Sequence, residues 1–273
     1  MRNHYISVAD SRSSLSELWH ARYLIRQLVI RDFTVRYRQS LLGWLWAFVN
    51  PALNMLLYYT VFGLMVHMQP PEYQVPYSWV LLSGLILWML FSATINTVSD
   101  TLLNNQHLIK KIYFPRVALT IAATGTGTID FLLALGWMFG LMFYQHNGLR
   151  WASITMGLLC GCLMLLCGWG LGCLLAVMRQ RFRDLHHLTP LLIQALFYLT
   201  PVVWTPAMLP VRYNKWLSLN PLSGIIGLFR FAILHGPAPD NTMLICGIGE
   251  SLLLALVGYH CFVSNEAKVI DLQ

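Results

Sequence analysis

Apolar positions along this chain gather into long stretches, and polar positions are confined to short breaks between them. Such stretches run over Leu41–Met65, Tyr77–Val98, Val117–Tyr144, Trp151–Met178 and Met243–Val263, with a shorter one over Leu188–Trp204. A helix needs about 20 mostly apolar residues to cross about 30 Å of hydrocarbon. The pattern therefore predicts an all-α integral membrane protein with six transmembrane helices. Ahead of the first stretch the pattern changes. Leu15, Leu18, Trp19, Leu24, Ile25, Leu28, Val29 and Phe33 recur at helical spacing, with Arg22, Arg26 and Arg36 between them. That spacing predicts an amphipathic helix over Leu15–Tyr37 lying in the membrane interface. It is no signal peptide, because no apolar core ends there in small residues.

The breaks carry their own predictions. Asn50-Pro51 falls inside the first span, where proline removes a backbone hydrogen bond and predicts a kink. Leu103–Tyr113 reads as a short polar helix that stops before Phe114-Pro115. Pro190, Pro201, Pro206, Pro210 and Pro221 make the region from Leu188 to Asp240 irregular. Within it Pro221–His235 is shorter than a crossing requires and reads as part of a re-entrant outer hairpin, 206–236, with a seventh crossing as the alternative. The organisation that follows is a cytoplasmic N-terminal segment (1–40), a six-helix domain (41–264) with cytoplasmic connectors at 104–114 and 179–187, and a cytoplasmic tail (265–273). Gly136/Gly140, Gly157/Gly161 and Gly168/Gly172 are GxxxG pairs that let helices approach closely, either within one bundle or across a subunit seam.

Composition strengthens the membrane reading. Residues are 57% hydrophobic and 11% charged, against about 25% charged in soluble domains. The net charge of +7 is concentrated before the first span (Arg2, Arg12, Arg22, Arg26, Arg31, Arg36, Arg38), between the second and third (Lys110, Lys111, Arg116) and after the fourth (Arg179, Arg181, Arg183). Of the alternate loops, the first carries only Glu72 and the second only Arg150. The positive-inside rule then places both termini in the cytoplasm. The basic surplus reads as topology and attraction to anionic lipid headgroups rather than to nucleic acid. The six cysteines all fall inside spans, form no CxxC pair and read as packing residues. Aromatic residues cluster at span ends as an interfacial belt, and Trp46 and Tyr58 are candidates to line a sugar pathway.

Catalytic signals are missing from the sequence. It has no GxxxxGK[ST], HExxH or GxSxG and no acidic cluster suited to a metal, so no catalytic residue and no metal site are assigned. Asp130 and Glu250 lie inside spans, where acids default to functional candidates. No cation lies at comparable depth in the assigned spans, so they either meet the transported species or are neutral and hydrogen-bonded, for instance to Thr126 or Thr128. The two connectors, Asn104–Arg116 and Arg179–His187, mix apolar anchors with charges as docking surfaces do. Solvated loops that merely set topology are the alternative.

One resemblance orders these pieces. Arg31-Asp32 with Arg36-Tyr37-Arg38, Ser40-Leu41-Leu42-Gly43, Trp46 and Asn50-Pro51 come first. Ser83-Gly84-Leu85 with Trp88, Leu108-Ile109-Lys110-Lys111, and Tyr113-Phe114-Pro115-Arg116 follow. Arg183-Asp184, Pro201 and Asn220-Pro221-Leu222 with Arg230 complete the set. In that order the chain resembles the membrane subunit of ATP-binding-cassette exporters of polysaccharide, the group that exports O-antigen, capsule and teichoic-acid chains, and it is most similar to the O-antigen type.

The resemblance implies a homodimer in a bacterial inner membrane, carrying two ATPase subunits that hold ATP and Mg, with no cofactor on this chain. It implies a coupling contact with the ATPase through Asn105, Gln106, His107, Leu108, Ile109, Lys110, Lys111, Tyr113 and Phe114, joined by Arg181, Arg183 and Asp184. The implied substrate is a glycan on undecaprenyl pyrophosphate, arriving at Arg31, Arg36 and Arg38, whose forked guanidinium groups suit phosphate. Its path would follow the dimer interface along the first and fifth spans. Two rival readings stand beside it: a proton-coupled secondary transporter using Asp130 and Glu250, and a membrane-bound glycan-modifying enzyme.

Overall fold

Hydrocarbon offers backbone amides no partner, so each apolar stretch must satisfy its own hydrogen bonds, and helices result. A computed structural model describes residues 15–38, 40–111, 114–144, 151–182 and 184–265, and among them every regular element is helical. Tyr113 and Arg183, together with the cations Arg2, Arg12 and Arg150 and the tail from residue 266 on, lie outside the described residues.

The interface segment is two helices, α1 (Leu15–His20) and α2 (Arg22–Tyr37). Its apolar residues do not share one face. Leu24, Ile25, Leu28 and Val29 turn to the bundle, while Trp19, Tyr23, Ile30 and Val35 are exposed.

The first span is α3 (Trp46–Tyr58), preceded by a 3-10 turn at Gly43–Leu45 and continued by a π-helical stretch at Tyr59–Met65. Helical geometry runs through Pro51, and the departure from it comes at the π stretch, where Val66 N–H bonds the Val61 carbonyl at 3.0 Å. Beyond an outer loop, α4 (Tyr77–Ser99) is the second span. The short α5 (Thr101–Asn104) and α6 (Gln106–Lys111) meet at an elbow on Asn105. The predicted single helix is thus broken, because Asn105 leaves helical geometry while its amide donates to Thr101 O at 2.9 Å.

The third span is α7 (Val117–Ala123) with α8 (Gly125–Tyr144), and the fourth is α9 (Trp151–Arg181). The fourth helix outruns its predicted end, so Arg179 and Arg181 belong to it and the connector shrinks to three residues, 182–184. Next come α10 (Leu185–Leu199), an irregular segment at 200–205, two 3-10 turns, α11 (Asn214–Leu217), α12 (Pro221–Leu234) and α13 (Asn241–Asn265). Among the described residues five helical runs are long and apolar enough to cross a membrane. Leu185–Leu199 and Pro221–Leu234 are apolar but shorter.

The second span is the hub. In its most apolar stretch 78% of residues are buried, against 6% in the first span. Lipid is as apolar as leucine, so helices associate here through close packing rather than through a hydrophobic driving force. Gly168 meets Phe91 O and Thr94, and Gly172 meets Val98, so the GxxxG face of α9 packs on α4 within the subunit. Gly136 and Gly140 face open space. A crossing outside that pattern is tighter still: Gly170 and Gly258 bring the backbones of α9 and α13 together with no room for a Cβ on either.

Candidate functional site

The junction at the first connector is built on α6. Leu108, Ile109 and Phe114 turn inward and pack with Leu24, Ile25, Leu28 and Val29 of α2 and with Leu119 and Ala122 of α7. Asn105 is half-buried and accepts from Arg31 Nη2 at 2.9 Å, while Arg31 also pairs with Asp32 at 2.7 Å. The outward face is left to Leu103, Asn104, His107, Lys110 and Lys111, with Gln106 half-buried beside them. The proposed coupling residues therefore divide into an outer cationic face and an inner set that clamps α6 to the interface helix. On the second connector Arg181 and Asp184 are exposed, with the Arg181 guanidinium 5.5 Å from the centre of the Phe182 ring.

Behind this junction the spans are cross-tied. Arg179, buried on α9, pairs with Asp100 at the end of α4, and His186 Nδ1 of α10 lies 3.6 Å from the same carboxylate. Three helices, α4, α9 and α10, thus meet at one acidic side chain.

The third span carries the second feature. Sequence reading leaves Asp130 without a cation at its depth. The folded chain supplies one from the interface helix: Arg36 Nη1 lies 2.9 Å from Asp130 Oδ2, and the Tyr37 hydroxyl donates to Oδ1 at 2.5 Å. Thr128 is otherwise engaged and bonds the Thr124 carbonyl. Burial, then the hydrogen bond to Asp130 and its charge, push the Tyr37 hydroxyl up to about 12. The ion pair stands at the mouth of an open pocket of about 430 Å³, walled by Ala47, Asn50 and Pro51 of the first span, Ile86, Met89, Leu90 and Ala93 of the second, and Gly127, Phe131 and Ala134 of the third. Of the three arginines proposed for a phosphate, Arg36 faces this pocket, Arg31 is turned to Asn105, and Arg38 is exposed with no ion pair among the described residues.

The other intramembrane candidates lie apart from this pocket. Glu250 is half-buried on α13, and its Oε2 is buried without a hydrogen-bond partner. Trp46 is half-buried at the start of the first span. Tyr58 joins the first span to α10, with its ring 5.0 Å from Phe197, which in turn lies 5.2 Å from Trp88. Along α10, Leu188, Leu191, Leu192 and Tyr198 are exposed. The first span and α10 thus present the least covered apolar faces of the bundle.

Sequence reading undervalues Arg230, treating it as a charge within an outer hairpin. It is fully buried: Nη1 donates to Pro201 O (2.9 Å) and Trp204 O (3.4 Å), Nη2 to Val202 O (2.6 Å) and Val80 O (3.0 Å), and Nε to Ser83 Oγ (3.3 Å). This cage ties α12 and the irregular segment after α10 to the second span. The available signal was an arginine inside an apolar helical stretch, which requires a polar cage wherever it is buried.

Comparison with known proteins bears on this arrangement. The family model for the ABC-2 type transporter matches residues 23–234, from the interface helix through α12. The O-antigen export system permease protein RfbA of Klebsiella pneumoniae is 27% identical over 264 residues, covering 93% of this chain and 97% of the relative. Its namesake from Myxococcus xanthus is 26% identical over 257 residues, with the same coverage. The polysialic acid transport protein KpsM of Escherichia coli is 25% identical over 252 residues, covering 90% of this chain and 95% of the relative.

Proposed function

The chain belongs to the ABC-2 type transporter family, and on that premise we propose that it is the membrane-spanning subunit of an ATP-driven exporter of lipid-linked polysaccharide. O-antigen on undecaprenyl pyrophosphate is the first candidate cargo, and capsular or teichoic-acid chains are the alternatives. The subunit works as a homodimer with two ATPase subunits in a bacterial inner membrane, six crossings deep, both termini cytoplasmic, with ATP and Mg held by the partner. The observation that carries this reading is likeness along almost the whole chain to permeases named for O-antigen and polysialic acid transport.

The geometry fits the work required. His107, Lys110 and Lys111 offer an outer cationic face on a helix clamped to the interface helix, which suits a motor docking from the cytoplasm. Closure of the ATPase pair would push α6, and the rigid spans behind it would shift between two states. The bare faces of the first span and α10 suit a second copy and the glycan path between the two. Arg36 at the mouth of an inner pocket suits a phosphate-bearing headgroup.

The rival of proton-coupled transport gains no support from Asp130, whose two oxygens face Arg36 and Tyr37 rather than a free path. The deciding experiment is complementation. Cells lacking this chain should lose surface glycan, and the gene should restore it only alongside an ATPase with an intact phosphate-binding loop. Surface glycan that persists in the deletion, or that stops with an uncoupler while the ATPase is dispensable, would overturn the reading.

A further inference from the structure

We propose that Asp130 is a stand-in for the cargo's phosphate. It holds Arg36 while the inner pocket is empty, and an arriving diphosphate headgroup takes Arg36 from it, freeing the end of α2 and passing that change to the ATPase contact at Asn105. The inference rests on the exporter reading above and adds to it a route by which cargo governs hydrolysis.

Three observations carry it. Both oxygens of Asp130 are held by consecutive residues at the end of one helix, Arg36 and Tyr37. Among the described residues Arg36 and Asp130 are the only charged ones lining the pocket, and its other walls are apolar except for Asn50. The pocket is open, and Arg36, its one cation among the described residues, keeps 42% of its side chain exposed, where an anion can reach it. Arg36 spends only Nη1 on Asp130, and a guanidinium has five N–H donors, so a phosphate has free positions from which to compete.

The third observation is the connection. Arg31 lies five residues before Arg36 on α2, about 7.5 Å along the axis, and its Nη2 donates to Asn105 Oδ1 at the α5–α6 elbow. One rigid helix therefore holds the third span at one point and the docking elbow at another. Two ligands that bias the same element affect each other reciprocally. Cargo at Arg36 changes the ATPase contact, and the engaged ATPase changes the affinity of Arg36 for cargo.

The test uses the complete complex with its ATPase in lipid nanodiscs, probed with undecaprenyl diphosphate in the membrane or inorganic pyrophosphate in the buffer. Hydrolysis by the wild type should rise with the lipid and not with the inorganic ion. A response to both alike would make the pocket a general anion site and overturn the cargo assignment.

Asp130→Asn should raise basal hydrolysis about fivefold and lower the half-saturating lipid concentration by a similar factor, the low end of coupling between two sites. Arg36→Gln should also raise the basal rate but weaken the lipid response. Asp130→Glu should return both values toward the wild type. Asn105→Ala should abolish stimulation while lipid still binds, with a half-saturating concentration that no longer depends on the state of the ATPase. A purely structural Asp130 would move stability without opposite shifts in lipid affinity for Asp130→Asn and Arg36→Gln. Equal half-saturation in wild type and Asp130→Asn, in a complex that still supports export in cells, would overturn this inference and leave the exporter reading standing. Failure of the wild-type gene to support export would strike the reading itself.

Discussion

At the outer end of the bundle Arg230 is fully buried, and its guanidinium is spent on four backbone carbonyls and a serine hydroxyl. At the inner end Arg36 keeps 42% of its side chain exposed and gives one nitrogen to a carboxylate. The first arrangement is saturated, and no ligand can enter it without stripping donors from carbonyls that have nowhere else to turn. The second is exchangeable, because a half-exposed ion pair is worth only about 0–1 kcal/mol net and leaves donors spare. Burial and partner type, not residue identity, separate an arginine locked into the fold from one whose donors stay open to solvent.

The comparison breaks most sharply at Arg230. Arg230→Met should orphan the carbonyls of Pro201, Val202 and Val80 and cost at least about 3 kcal/mol, leaving little folded protein in detergent. A melting temperature within a few degrees of the wild type would refute its role as keystone. Gly84→Ala tests the same cage from the second span. Its methyl would sit 2.6 Å from Val202 O and 2.8 Å from Arg230 Nη2, so a loss of about 2 kcal/mol is expected in a thermal unfolding series.

The next effects separate the two faces of α6. Ile109 is half-buried in the cluster that joins α2 and α7, so Ile109→Asp should cost about 1–3 kcal/mol and impair export through misplacement of the helix. Lys110 is exposed, and Lys110→Glu should leave the melting temperature unchanged while export falls. Equal loss of stability in both would erase the distinction between clamp and docking face.

Tyr37→Phe should be the mildest, with a stability change under about 1 kcal/mol, since Arg36 keeps one oxygen of Asp130. The folded hydroxyl titrates at about 12, above its ordinary 10.0. Its bond to Asp130 is therefore fully present below pH 10 and is lost only as pH rises toward 12. Stability profiles of wild type and Tyr37→Phe should thus run parallel between about pH 6 and 9. A divergence there would mean that the hydroxyl is not the donor.

Much of this was readable in the chain, for local reasons. A helix in hydrocarbon must satisfy its own backbone, so length and apolarity alone mark Tyr77–Ser99, Val117–Tyr144 and Asn241–Asn265 with ends near those observed. The glycines at 157, 161, 168 and 172 recur on one face, and that face does pack inward. The fourth helix runs past the apolar stretch that predicts it, because Asp100 lets Arg179 stay buried within the helix. The break at Asn105 and the inward turn of Ile109 depend on α2, which is remote in sequence. The same holds for Asp130, whose partners lie on a helix assigned to the interface.

What the sequence determined by itself is what a single segment can decide alone: which stretches form long apolar helices and which breaks between them carry positive charge. What the tertiary structure decided is which polar group meets which. Those pairings join Arg36 to Asp130, Arg179 to Asp100 and Arg230 to the broken strand of carbonyls after α10. The reason is the range of the forces involved. Backbone hydrogen bonds and transfer into hydrocarbon act within one helix, whereas a guanidinium finds its partners only after the helices have packed and water has been displaced.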